Sequence, residues 1–403
     1  MGDFLQALEL TKSINCVTEF IPEAEAYAEL RDRIPENERG PLHGLPVSVK
    51  ENVEIQGMDT TLGLGKFLYC PASSNANIVE LLIKKGAVPF CKTNVPQMLL
   101  SFCCSNPVYG ETLNPHDLTR TPGGSSGGEA ALIGGGGSVL GIGSDLAGSA
   151  RVPSSFSGCV GLRPTYNRLS SVGLKRGLEG QTGVVSTVGV MGRDVEIVAT
   201  CMKALTEGEE MCVLDPTVVP LPWNELNFNL SRKLVFGYFD SEEIFPTTPG
   251  VKRAVLEAKI ALEKAGHEVK PYKIPEIDQI FKDELSLVSA DGGVAMKKRM
   301  NKEVIDKSLG KGLGIIMTPP YMKPLIKSII KMLYSKYTSE SIQCKIFFHY
   351  LRKLLSNSFL TDPYHYEEAK LSDPKDILLK TLIDYTIISS PMMNMDLNLS
   401  STH

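Results

Sequence analysis

Between Gly123 and Ser149 the chain crowds Ser125, Ser126 and Ser149 among closely spaced glycines, a setting in which a hydroxyl could serve as a nucleophile. A serine hydroxyl is a weak nucleophile at its ordinary pKa and needs a base within hydrogen-bond reach. Gly123-Gly124-Ser125-Ser126-Gly127 satisfies GxSxG, the nucleophile-elbow pattern, which asks for a buried strand just before the serine and for a histidine base. The residues before it, Asn114 to Arg120, read as a polar loop, so the match is weak. The six histidines are scattered along the chain, without the spacing of a zinc site.

A serine served by lysine remains. Gly44 to Lys50 alternates like a strand, with Val47 and Val49 on one face and Ser48 and Lys50 on the other. To act as a base, Lys50 must lose its proton near neutral pH, which burial among apolar groups can achieve. The plainer alternative is a strand-end lysine that reaches solvent.

Other chemistries find less support. Gly65-Lys66 is followed by Phe67, which breaks the phosphate-loop pattern, and Gly141 and Gly143 are followed by Leu146, which breaks GxGxxG. A net charge of −4 over 403 residues gives no basic footprint for nucleic acid. Nine cysteines, with Cys103 and Cys104 adjacent, fit no ligand spacing and read as reduced and mostly buried. Met1 to Leu10 carries Asp3 and no long apolar run, so neither a signal peptide nor a spanning helix is expected. Gln6 stands where myristoylation needs Ser or Thr. The sequons at Asn229 and Asn398 then carry no meaning.

The helices and strands around these residues follow from periodicity. Apolar residues recur at helical spacing from Phe4 to Leu30, with a break at Pro35 and Gly40. A helix is expected over Asn75 to Lys85, ended by Gly86, then a strand over Ala87 to Cys91. Asn106 to Pro122 reads as loop, and Gly123 to Gly137 as too glycine-rich for regular structure to dominate. Short apolar runs follow at Val139 to Ile142 and Val160 to Leu162. Further along come a helix over Asp194 to Leu205, a strand over Lys233 to Tyr238, a helix over Pro249 to Ala265 capped by Thr248, and a strand over His267 to Tyr272. This alternation indicates an α/β chain with no linker dividing it into independent domains. Residues 312–337 read as a basic amphipathic helix: Met322, Leu325, Ile326, Ile329, Ile330 and Leu333 fall on one stripe, Lys323, Lys327 and Lys331 on another. Such a helix suits either a membrane interface or an ordinary surface position.

Taken together, Gly44 to Lys50, Gly123 to Gly128 and Gly141 to Arg151 strongly resemble the amidase-signature family. Lys92-Thr93-Asn94-Val95-Pro96-Gln97, Gly161-Leu162-Arg163-Pro164-Thr165, Leu214-Asp215-Pro216-Thr217 and Ala265-Gly266-His267 are similar to its fatty acid amide hydrolase branch. The resemblance implies one α/β domain, a large mixed twisted sheet surrounded by helices, and a Ser-Ser-Lys triad. In that triad Ser149 is the nucleophile, Ser125 the proton relay and Lys50 the base. Backbone N–H groups around Leu146, Ala147, Gly148 and Ser149 would hold the oxyanion. Ser126, Asp145 and Arg151 would support the loop, and Met98, Leu99 and Leu100 would line an acyl channel.

The implied substrate is a fatty acid amide, cleaved through an acyl-enzyme to fatty acid and amine or ammonia. No cofactor, metal or nucleic acid is implied. The partners are a membrane surface met through residues 312–337, on the cytoplasmic side, and a second copy of the chain in a homodimer. Two departures from the family pattern stand out. Ala147 occupies a position where the family has glycine; if that position needs a positive φ, alanine costs about 1 kcal/mol there. The chain also stops after the segment matching Ile383 to Pro391, where the family continues with more core strands. These departures leave a catalytically impaired, truncated isoform that binds lipid amides as one alternative; within the same fold, an amidotransferase-type amidase subunit is another.

Overall fold

The computed structural model describes residues 2–309 apart from 180–182, 230, 242–246, 289–290 and 292. The described residues fall into two compact units. One comprises the chain as far as Trp223 and the stretch that resumes at Gly293; the other begins at Asn224.

The first unit is built on a six-stranded sheet. Its strands are β1 (Val17–Phe20), β2 (Pro46–Lys50), β3 (Val88–Thr93), β6 (Leu140–Asp145), β7 (Val160–Leu162) and β8 (Thr187–Gly192). Two-residue strands β4 (Ser105–Asn106) and β5 (Gly110–Glu111) make a separate small ribbon. The sheet order is β1-β3-β2-β6-β8-β7. β3, β2 and β6 run parallel, while β1, β8 and β7 add antiparallel pairings. The sheet is therefore mixed and flanked by helices, as expected. One extra residue in β3 shifts its register against β2: Val47 pairs with Pro89, but Ser48 pairs with Cys91 and Lys50 with Thr93.

The period of two along β2 sorts the layers. Val47 and Val49 join the main core with Leu140, Ile142, Val188 and Val190, packed with Ile78, Leu81 and Leu82 of α3 (Asn77–Lys84) and Val198, Cys201 and Leu205 of α6 (Val195–Thr206). On the other face lie α4 (Gly127–Gly134) and α5 (Arg151–Ser157), where Ala130, Ile133, Ala150 and Met191 make a smaller cluster. Ser48 and Lys50 belong to that second face and are fully buried.

Two expectations fail. The helical run from Phe4 to Leu30 is interrupted: α1 (Gly2–Ile14) and α2 (Ala24–Asp32) are separated by β1, entered through the left-handed Asn15 (φ 54°). Val17, Thr18 and Phe20 suit an edge strand, and pairing with β3 overrides their apparent helical phase. The glycine-rich stretch contains the helix α4, since Glu129 to Ile133 are good helix formers and the glycines around them serve close packing. A Cβ on Gly128 would lie 2.3 Å from the Asn94 amide nitrogen and 2.5 Å from the Cys16 carbonyl oxygen.

The expected helices and strands at Asn77–Lys84, Val88–Thr93, Leu140–Asp145, Val160–Leu162 and Val195–Thr206 are present, their ends shifted by at most a few residues. The second unit holds the parallel pair β9 (Val235–Tyr238) and β10 (Glu268–Pro271), joined through α9 (Pro249–Lys264). Pro249 opens α9, but the Thr248 hydroxyl makes no capping bond. All eight described cysteines are free. No described helix is long and apolar enough to cross a membrane. Residues 312–337 lie outside the described residues.

Because backbone atoms wall in Gly128, Gly128→Ala should lower stability by about 1–3 kcal/mol. Urea unfolding checks this, and an unchanged midpoint would show that α4 can move away from β3.

Candidate active site

Lys50 is the last residue of a central strand, and every side of its amine is occupied by protein. Its Nζ lies 2.8 Å from Ser125 Oγ, 2.9 Å from Ser144 Oγ and 3.4 Å from the Ser144 carbonyl oxygen. Ser144 Oγ in turn lies 3.3 Å from Asn52 Oδ1, which can accept its proton. A neutral amine has two N–H groups and one lone pair. The two Ser144 oxygens can take both N–H groups, which leaves the lone pair facing the Ser125 hydroxyl. Burial drives the Lys50 pKa down to about 7, against the nearby Asp145, Cys104, Glu129 and Glu51, which push it up. Lys50 does not reach solvent.

The serines lie at graded depth. Ser125 and Ser126 are buried, whereas Ser149 is half-buried. The Ser126 N–H donates to the Ser149 carbonyl at 2.9 Å, tying the loop before α4 to the loop before α5. The Ser126 hydroxyl lies 3.3 Å from the Ser144 carbonyl oxygen. Among the described residues the Ser149 hydroxyl makes no hydrogen bond. Of the three hydroxyls it is the one with a route to a substrate.

Asp145 shapes the loop that carries Ser149. Its carboxylate accepts from the backbone N–H groups of Gly148 at 2.9 Å and Ala150 at 3.0 Å, and from Arg151 Nε at 3.0 Å and Nη2 at 2.8 Å. Arg163 Nε lies 3.6 Å away. Burial alone would raise its pKa, but the Arg151 charge and these hydrogen bonds outweigh it and hold the carboxyl below its usual range. Gly148 is the left-handed residue of the loop (φ 111°), and Ala147 is not among the positive-φ residues, so alanine incurs no backbone penalty. Of the expected oxyanion donors, the Gly148 N–H is taken by Asp145. Those of Leu146, Ala147 and Ser149 meet no acceptor among the described residues.

Met98, Leu99 and Leu100 lie on the loop after β3. Met98 is fully buried, while Leu99 and Leu100 are half-buried. Met98 and Leu99 both adopt positive φ (55° and 61°). The loop is pinned by the Met98 N–H bond to the Leu62 carbonyl and by Gln97, which donates to the Val304 carbonyl and accepts from the Asp306 N–H. No hydrogen bond joins Met98, Leu99 or Leu100 to the serines.

GxSxG fails structurally as it does in the sequence: a loop leads into Ser125, and His116 Nε2 lies 2.8 Å from the Ser157 carbonyl oxygen. Sequence reasoning missed Ser144, Asn52, Arg163 and Glu129. Glu129 alone carried a visible signal, as the one charge in the apolar run from Gly127 to Ile133.

The sequence profile of the amidase family matches residues 3–388. This chain belongs to that family. It is 40% identical over 333 residues to the vitamin D3 hydroxylase-associated protein of Gallus gallus, covering 82% of this chain and 71% of that one. It is 42% identical over 330 residues to fatty-acid amide hydrolase 1 of Sus scrofa, covering 81% and 56%. Among solved structures, a fatty acid amide hydrolase superposes with a TM-score of 0.69 at 25% identity, over 87% of this chain and 67% of that one. The chain thus spans little more than half the length of the Sus scrofa enzyme.

Asp145→Ala would strip Arg151 of its carboxylate and release the Gly148 and Ala150 N–H groups. The expected loss is about 3–5 kcal/mol, read by chemical denaturation, with a smaller loss in Asp145→Asn. A loss below about 1 kcal/mol would mean that the loop is held by other contacts.

Proposed function

We propose that this member of the amidase family hydrolyses amides by a Ser149-Ser125-Lys50 triad, and that its substrates are fatty acid amides. One observation carries the reading: a fully buried lysine, held near neutrality, whose amine meets the Ser125 hydroxyl at 2.8 Å.

Neutral Lys50 takes the Ser125 proton while Ser125 takes that of Ser149, whose Oγ bonds to the amide carbon. The N–H groups of Leu146, Ala147 and Ser149, which meet no acceptor among the described residues, receive the developing oxyanion. As the C–N bond breaks, Lys50 returns its proton to Ser125 and Ser125 delivers one to the leaving nitrogen. Water then cleaves the acyl-enzyme along the same relay. Ser126, Asp145 and Arg151 hold the loop, and Leu99 and Leu100, half-buried, line the acyl end with Met98 beneath them.

The lipid substrate rests on the Sus scrofa relative and the superposed structure, both named fatty acid amide hydrolase, and peripheral membrane contact on the basic amphipathic pattern of residues 312–337. The unstrained backbone at Ala147 removes one ground for reading the chain as catalytically silent.

Purified protein given a long-chain primary amide should release ammonia and fatty acid, and Ser149→Ala should abolish the release. The sign of the pH dependence follows from Lys50, which must be neutral to act. kcat/KM should therefore rise as pH passes upward through about 7 and then level off. A profile flat from about pH 5 to about pH 9 would exclude Lys50 as the base.

A further inference from the structure

The sheet face that carries Lys50 holds a second buried ionisable group. Glu129, on α4, is fully buried. Thr93 Oγ1 lies 2.5 Å from its Oε2, and the Ser48 hydroxyl is hydrogen-bonded to its Oε1. Ser48 is two residues before Lys50 on β2, and Thr93 is the residue paired with Lys50 on β3, so both hydroxyls share the Lys50 face. Opposite Ser48, β6 has Gly141, where a Cβ would lie 1.8 Å from Glu129 Oε1. Strand β6 thus leaves a recess that the carboxyl fills.

The partners of this carboxyl suit both of its protonation states. Ser48 Oγ also lies 3.0 Å from Ser138 Oγ, and Ser138 Oγ lies 2.8 Å from the Leu140 carbonyl oxygen. As a carboxylate, Glu129 accepts from Ser48 and Thr93. As an acid, it can donate to Ser48, which passes its own proton to Ser138, and Ser138 donates to the Leu140 carbonyl. Neither state leaves a buried polar atom unpaired, so the group can change charge without loss of structure.

We propose that Glu129 is a positioning residue for the base, a carboxyl in a purpose-shaped recess whose charge sets the protonation of Lys50. The proposal rests on Lys50 being the base. Burial raises the Glu129 pKa to about 7, against the hydrogen bonds from Ser48 and Thr93 and the charge of Lys50. The other titratable groups near Glu129 are the thiols of Cys16, Cys91 and Cys159, all pushed up by burial and uncharged at neutral pH. Lys50 also faces Asp145, Glu51 and the Cys104 thiol. Asp145 is committed to its arginine, and both oxygens of Glu51 are held by Thr61 and Leu62. Glu129 has no cation within ion-pair distance among the described residues. Its charge is the one near Lys50 that is poised to change at the pH where Lys50 changes.

The test is the pH dependence of fluorophosphonate labelling of Ser149 in the full 403-residue chain. Glu129→Gln keeps the shape: its amide oxygen accepts from Thr93 and its NH2 donates to Ser48. Without the negative charge the Lys50 ammonium loses stabilisation, so the limb should move to lower pH, with labelling about threefold faster around the wild-type midpoint and the two rates converging well below it, where wild-type Glu129 is itself protonated. Thr93→Val, which removes a donor to the carboxylate, should move the limb in the same direction by less, and it carries the test if Glu129→Gln does not fold. An unmoved limb, or a loss of rate that is uniform across pH, overturns the proposal. Lys50→Ala separates the two readings. If it labels as fast as wild type, Lys50 is not the base and both fall; if it does not label while the Glu129→Gln limb is unmoved, this inference alone fails.

Discussion

The site depends on a lysine amine kept out of water. An ammonium group in a dry interior is costly unless it finds a counter-charge, and the cheaper state is the neutral amine. Lys50 is given neutral oxygens at hydrogen-bond distance and, among the described residues, no carboxylate partner, while Asp145, the charge that acts on it most, is committed to Arg151. The layers around it serve this arrangement. β2 must be central for its end to be buried, and α4 must pack hard against β3 for Ser125 to arrive beside the amine. Ser144, next to last in β6, must present both of its oxygens to Nζ.

The second requirement is a rigid loop around Ser149. Asp145 gathers three backbone N–H groups and a guanidinium onto one carboxylate, which fixes the chain on both sides of Ser149. Preorganised donors cost nothing to reorient when charge develops, which is where such sites gain most. The two requirements meet in Ser126, whose N–H holds the Ser149 carbonyl and whose hydroxyl reaches the Ser144 carbonyl.

Much of this was legible in the residues. The alternation Val47-Ser48-Val49-Lys50 places the lysine on a strand face, and the α/β alternation fixes the class of fold. What could not be read was contact. Ser144 has no distinguishing neighbours, and only the parallel pairing of β6 with β2 brings it to Lys50. The helix α4 was hidden because glycines that weaken a free helix also let it lie against a neighbouring backbone, and that packing gain is invisible to local propensity. β1 was hidden because an edge strand of four residues is made by its partner, not by its own periodicity. The recess at Gly141 needed two strands and a helix to exist at all.

The register shift between β2 and β3 also separates two amines. Were the pairing of Val47 with Pro89 carried on without the extra residue, Lys50 would stand beside Lys92, and both side chains would share one face. The shift puts Thr93 there instead and turns Lys92 to the opposite face, where its amine bonds the Asp59 carbonyl at 2.6 Å and Thr60 Oγ1 at 3.0 Å. Two buried lysines one position apart on adjoining strands are thereby insulated by the thickness of the sheet, and of the two only Lys50 is hydrogen-bonded to Ser125 and Ser144.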